Sequence, residues 1–326
     1  MEMKIKTKNK QPCVPGMKVK NIYTHTGKGA EETAGICYSA DNGKEEKQGI
    51  PYLAFQGLED TGVVKHLFST RLGGVSEGEV SGMNLRFTRG DKEECVKENY
   101  RRIANILDCK PEDMVATYQT HTKNLRVITK EDAGHGVTRE KYFFDVDGLL
   151  TNEPGIMLVA YFADCVPIYL VDPVRKAVAL CHSGWKGTAM GIGAEAVIKM
   201  QEEFGSDPSD IRAAIGPSIC KDCYEVSEDL LLEFQEKFWP IYGSQEAVLV
   251  KKANTAMSNV LFEKKENGKY QLDLWLANQL VLKKAGIKEE HLEVTNICTC
   301  CNPDILFSHR ASKGKRGNLC AFLGLK

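Results

Sequence analysis

Seven histidines and twelve cysteines are spread along the 326 residues, and three of them stand where a metal could be held. His121 in YQTHTKN, Cys165 in FADCVP and His182 in CHSGWKG each fall at the end of an apolar run, among polar neighbours. Two imidazoles and a thiolate from neighbouring strand ends leave a fourth position open, the pattern of a catalytic zinc; structural zinc takes four protein ligands. The long, unequal gaps between the three match no compact zinc-finger spacing, and a single histidine at a strand end is as a rule a hydrogen-bonded structural residue. The same Cys165, with His182 or His121 as base, would also suit a thiol hydrolase. Asp164 offers a carboxylate beside Cys165, either to move a proton or to orient a ligand, although neighbouring side chains on a strand point to opposite faces.

A second set of thiols competes for attention. Cys220-x-x-Cys223 and Cys298-Thr-Cys300-Cys301 would make a four-thiolate zinc site if two knuckles separated by a long, helix-rich stretch met in space. The plainer expectation is that some of these thiols face the core and others lie on loops, as Cys13, Cys37, Cys95, Cys109 and Cys320 are expected to be small buried hydrophobes. Cationic elements complete the inventory. Arg71 precedes Gly73-Gly74 and the loop VSEGEVSGMNLRF, and FSHRASKGKRGN gathers Arg310, Lys313, Lys315 and Arg316 around two glycines. Either loop reads first as solvated surface, and either would suit a phosphate or carboxylate.

These residues need a frame. From Tyr52 onward, apolar segments and turn signals alternate regularly. VKHLFSTR reads as a strand ending at Arg71, MVATYQTHT and LRVIT as strands around a short turn, and YFADCVPIYLVDPVRKAVALCHSGWKG as two strands joined at Asp172-Pro173. KEECVKENYRRIANIL has helical spacing at Cys95, Tyr100, Ile103, Ala104 and Leu107. A helix is expected over 187–204, stopped by Gly205, with further helices in SEDLLLEFQEKFW and LDLWLANQLVLKKAGI. IRAAIGPSI, HLEVTNI, DILFSHR and LCAFLGL read as strands. The pattern predicts one α/β domain over 50–326, with a mixed β-sheet flanked by helices. Residues 1–49 are Lys-, Gly-, Thr- and Glu-rich, with one short alternating run at 35–39, and read as an N-terminal extension.

Bulk composition narrows the function classes. With 42% hydrophobic and 27% charged residues and a net charge of -1, the chain has no electrostatic case for nucleic acid or an anionic membrane. No run approaches the roughly 18 apolar residues of a membrane span, and the first residues lack the apolar segment of a secretory signal. A cytoplasmic protein with reduced thiols is expected.

Eight motifs in order carry a resemblance over about residues 50–326: STRLGGVSEGEVSGMNL, RGDKEECVKENYRRI, YQTHT, DVDGLLTNEPGI, ADCVPIYLVDP, HSGWKGT, AIGPSICKDCYEV and FSHR. The chain resembles the YfiH/YlmD family, long described as polyphenol oxidases (laccase domain) and now regarded as purine nucleoside phosphorylases with accompanying adenosine deaminase activity. The resemblance implies a YfiH-like fold similar to the catalytic domain of cytotoxic necrotizing factor. It implies zinc held by His121, Cys165 and His182, the three residues already singled out. It further implies purine nucleosides and inorganic phosphate as substrates, with S-methyl-5′-thioadenosine as a further candidate nucleoside. It suggests the positions Arg71, Arg310, Asn84 and Ser308 without fixing their roles; the two arginines are the candidate phosphate ligands and the other two candidate neutral donors. The older name would call for copper, and two His and one Cys are also the core of a blue-copper site. A multicopper oxidase, however, spreads its metals over many histidines, largely in His-x-His pairs, and this chain has seven histidines and no such pair. Three positions depart from the family: Thr122 follows His121 where glycine is usual, Phe162 stands before Ala163-Asp164-Cys165, and His309-Arg310 replaces Arg-Arg.

Overall fold

The computed structural model describes residues 37–38, 50–242, 248–252 and 260–326. Alternation of side chains along two neighbouring strands explains the architecture. In Met157–Phe162, residues Met157, Val159 and Tyr161 pack against helix Glu93–Leu107, whereas Leu158, Ala160 and Phe162 face a second sheet. In Val166–Asp172, Val166, Ile168 and Leu170 face helices Ile192–Phe204 and Leu274–Lys284, whereas Tyr169 and Val171 face the first sheet. Both strands are buried on both sides, so they read as continuous apolar runs. The result is two mixed six-stranded sheets packed face to face, with helices on both outer faces. The sequence pattern had predicted one mixed sheet between helices; a strand buried on both faces does not reveal whether helix or sheet covers it.

In the first sheet the order is Cys37–Tyr38, Pro51–Leu53, Val64–Ser69, Leu319–Leu325, Met157–Phe162, Met114–Ala116. In the second it is Leu292–Val294, Arg212–Ile215, Val166–Asp172, Ala177–Ser183, Gly148–Thr151, Leu125–Val127. A smaller four-stranded sheet holds Glu225–Val226, Tyr270–Leu272, Val260–Lys264 and Val248–Lys252. Of the extension, the described pair Cys37–Tyr38 lies antiparallel to Pro51–Tyr52 at the sheet edge; Cys13 and the rest of residues 1–49 lie outside the described residues.

Several expected elements shift. The 187–204 helix is two helices, Trp185–Ala189 and Ile192–Phe204, broken at Gly191 in the left-handed region (φ 74°); Gly205 (φ 67°) ends the second as expected. Helix Glu93–Leu107 buries Val96 rather than Cys95 in its first turn. VKHLFSTR leaves the sheet at Ser69, so Arg71 lies on the following loop. DILFSHR forms turns instead of a strand, with Ile305 and Leu306 amides bonded back to the Asn302 carbonyl. Among the expected core thiols, Cys320 is buried while Cys95 and Cys109 are half-buried. No helix among the described residues is long and apolar enough to cross a membrane.

His66, between the two sheets, makes the fold acid-sensitive. Its Nε2 accepts the Phe55 amide at 2.9 Å, which requires a neutral ring, and burial pulls its pKa from 6.5 down to about 4. The folded chain thus resists protonation where the unfolded chain accepts it. Stability from this group is complete above pH 6.5 and is lost as pH falls toward 4, by on the order of 3 kcal/mol. Urea titrations from pH 7 to 4 are expected to show this loss in the parent and its absence in His66→Gln, which keeps an acceptor for the Phe55 amide.

Candidate metal centre and active site

The hairpin formed by Val166–Asp172 and Ala177–Ser183 pairs Pro167 with His182 and Val166 with Ser183, bringing Cys165 to the side of His182. His121 arrives from the first sheet's side. Beyond Met114–Ala116 the chain bridges through Tyr118 to Val146 and then turns sharply, with His121 in the left-handed region (φ 67°). His121 therefore lies in a loop, not at a strand end. Gln119 pins this loop to the Met157–Phe162 strand: its Oε1 accepts the Tyr161 amide and its Nε2 donates to the Tyr161 carbonyl, at 2.9 and 2.8 Å.

Asp147 organises the turn. Its fully buried carboxylate accepts the amides of Thr120, His121 and Thr122, the Thr122 hydroxyl, and Nδ1–H of His182 at 2.7 Å. With Nδ1 so engaged, Nε2 of His182 is the nitrogen left to bind a metal, the usual carboxylate–histidine–metal arrangement. One carboxylate thereby sets the histidine on the hairpin and the loop that carries the other. Thr122 supplies a hydroxyl bond that glycine cannot.

One donor atom each from His121, Cys165 and His182 lie within 4.8 Å of one another. Ligands held tetrahedrally by one zinc at about 2.0–2.3 Å sit about 3.5 Å apart, and His121 Nε2 to Cys165 Sγ measures 3.9 Å. Borderline-soft N and S donors suit zinc, so the residues present fit the ion. Burial pushes the Cys165 thiol up, but the charge of His182 and the bonds to His121 and His182 outweigh it and hold it down to about 6. For His182, burial works downward, while Cys165 and Asp147 raise it to about 9.

The other expected residues divide by their partners. Asp164, in the left-handed region (φ 94°), accepts the Thr299 hydroxyl on Oδ1 and the Arg310 amide on Oδ2, both at 2.7 Å. Arg310 donates to the carbonyls of Glu225 and Cys223 and lies over the Tyr224 ring. Arg71 donates to the carbonyls of Pro303 and Ser81 and lies over Phe307. Asn84 is fully buried, bonded to Asp91, Arg86 and the Asn318 amide. The Ser308 hydroxyl accepts the Ala311 amide. Asn84 and Ser308 thus brace loops.

A cationic pair joins Arg316 of the basic loop to Arg89, which was not among the expected site residues. Arg89 Nε and Arg316 Nη1 both donate to Asn318 Oδ1, at 3.0 and 2.6 Å, while Asn318 Nδ2 reaches the Phe162 carbonyl. Burial and the neighbouring Arg89 pull the Arg316 guanidinium down to about 10, and the charges of Asp164 and Cys165 oppose this. Arg316 stood in a loop noted for its charge; Arg89 carried no signal of its own.

The family described as multi-copper polyphenol oxidoreductase laccase matches residues 65–326. The chain is 35% identical over 261 residues to the purine nucleoside phosphorylase YlmD of Bacillus subtilis, covering 79% of this chain and 87% of the relative. The chain belongs to the YfiH/YlmD family. In structure it is similar to family member YlmD from Geobacillus stearothermophilus, with a TM-score of 0.76 and 33% identity over 87% of this chain and 98% of the other. Another relative, adenosine deaminase RL5 from an unknown prokaryotic organism, is 32% identical over 245 residues, 74% of this chain and 87% of its own length.

Against this family background Gly184 has a local reason. Its φ of -71° is open to any residue, but a Cβ there would lie 2.7 Å from His121 Cδ2 and 3.3 Å from Cys165 Sγ. Gly184→Ala is expected to leave the fold intact by circular dichroism while displacing His121. A displacement near 1 Å lowers turnover by about 10²-fold, and metal content read by elemental analysis falls with it.

Proposed function

We propose that the chain is a zinc-dependent purine nucleoside phosphorylase that cleaves adenosine, inosine or guanosine with phosphate to free base and ribose 1-phosphate, with adenosine deaminase as a side activity. The observation that carries this reading is the meeting of His121, Cys165 and His182, together with the Arg89–Arg316 pair. It is supported by relatives named purine nucleoside phosphorylase at 32–36% identity and by one named adenosine deaminase. Zinc is preferred to copper on the donor set and the absence of His-x-His pairs.

In phosphorolysis the bond from purine nitrogen to ribose C1′ breaks, a phosphate oxygen bonds to C1′, and the departing base takes up a proton. A zinc ion held by the three ligands would supply Lewis-acid activation at the open fourth position. The chain's own residues hold the parts in place. Arg316 and Arg89 present positive charge to the phosphate, joined in this reading by Arg310 and Arg71. Asp147 fixes the His182 ring. Both oxygens of Asp164 are taken, one by the Thr299 hydroxyl and one by the Arg310 amide, so Asp164 is read as positioning Cys165 and Arg310 rather than relaying a proton.

A chromatographic assay of metal-quantified protein with adenosine tests the reading. Adenine that appears only with phosphate supports the phosphorylase, and inosine without phosphate supports the deaminase; neither product from zinc-loaded protein overturns both. The juxtaposition of Cys165 with two imidazoles keeps a thiol hydrolase as the second reading, which predicts activity that survives chelation.

A further inference from the structure

The two cysteine pairs left aside by the catalytic reading meet in space. Ile219–Cys220 follows the Arg212–Ile215 strand, Cys298 follows Leu292–Val294, and these strands lie parallel as neighbours in the second sheet. Beyond the sheet the pairing persists as an isolated bridge between Ser218 and Cys298, with the Thr299 amide on the Ser218 carbonyl at 3.2 Å. Each segment then turns, so that Cys220, Cys223, Cys298 and Cys301 place their sulfurs within 4.8 Å of one another. In both segments the cysteines stand three apart, and the first turn is closed by the Cys223 and Tyr224 amides on the Cys220 carbonyl.

We propose that Cys220, Cys223, Cys298 and Cys301 form a second, structural zinc site, separate from the His121–Cys165–His182 cluster. Four sulfurs bound tetrahedrally at about 2.3 Å lie about 3.8 Å apart. Cys223 and Cys301 are separated by 3.5 Å, far beyond the roughly 2.05 Å of a disulfide. The Cys220 amide points at Cys298 Sγ at 3.2 Å, a donor suited to a sulfur carrying negative charge. Four protein ligands fill the coordination sphere, so this zinc has no open position and its role is to hold structure. Binding displaces the thiol protons to solvent, leaving a net charge of two minus, and the Arg310 guanidinium on the Cys223 carbonyl is the adjacent cation.

The site sits behind the catalytic one. Ile219 donates its amide to the Asp164 carbonyl at 2.9 Å, and Thr299, between two of the ligands, donates its hydroxyl to the Asp164 carboxylate. Arg310 binds the same carboxylate through its amide and the Cys223 carbonyl through its side chain. Each contact holding Asp164 in its left-handed conformation thus comes from a thiolate-bearing segment or from a residue tied to one. The structural zinc locks two segments that fix the residue preceding Cys165.

Elemental analysis of the full-length protein, purified without chelators, tests this. Two zinc ions per chain are expected, one for each cluster. One should remain in Cys165→Ala, where X-ray absorption at the zinc edge should show a shell of four sulfurs and no imidazole. Cys223→Ser/Cys301→Ser should keep one zinc, bound with imidazole. A Cys165→Ala protein without zinc, with these thiols freely alkylated in the native state or oxidised to disulfides by intact mass, would overturn the proposal. Zinc that stays at two in Cys165→Ala would instead count against the catalytic site. Should the double-serine variant fail to fold, the absorption spectrum of Cys165→Ala decides alone.

Discussion

Cys165→Ala is expected to lose zinc from the catalytic cluster and to lower phosphate-dependent release of adenine by on the order of 10³-fold. Only two imidazoles remain in the variant, one of them on an exposed loop, and two ligands do not hold zinc against solvent as three do. Lewis-acid stabilisation is worth several kcal/mol, and each step of about 1.4 kcal/mol is tenfold in rate. The side chain is small and half-buried, so the variant should fold, with a stability within about 1 kcal/mol of the metal-free parent. The comparison needs a chromatographic assay with and without phosphate beside zinc analysis of the same sample. Full phosphorolysis by the variant would remove Cys165 from the chemistry altogether.

Asp147→Ala should do more damage to the fold. The variant leaves three backbone amides, the Thr122 hydroxyl and the His182 imidazole without their shared acceptor. Each buried donor left unsatisfied costs about 1–3 kcal/mol, reduced where the loop relaxes toward water, so a loss of roughly 3–5 kcal/mol is expected in urea unfolding of metal-free protein. Zinc affinity, followed by competition with a chromophoric chelator, should fall by about 10–100-fold because His182 loses its orientation. A variant with parental stability and affinity would show that the turn carrying His121 holds itself.

His121, Cys165 and His182, which the structure brings together, were legible in the sequence because each stands among polar neighbours at the end of an apolar run. Asp147 was not, since one aspartate in DVDGLL looks like any turn residue until five donors are seen to converge on it. Asn84 and Ser308, expected among the substrate donors, also hold loops together through Asp91 and the Ala311 amide, contacts that no sequence pattern reveals. The second sheet was hidden for a different reason. The alternation in Met157–Phe162 marks two buried faces but carries no record of what covers either. The cysteine pairs were visible as spacing, but the long intervening chain concealed that the strands leading into them are neighbours.

The strand Leu319–Leu325 lies in the interior of the first sheet, bonded to Val64–Ser69 on one side and Met157–Phe162 on the other. During synthesis the ribosome releases both flanking strands long before their common partner emerges. Until then each presents a free edge of backbone donors and acceptors, open to pairing with another chain. A message cut short before the codons of Leu319–Leu325 would leave that gap for good. Quality control in the cell should therefore meet such truncations as aggregates and not as weakened enzyme.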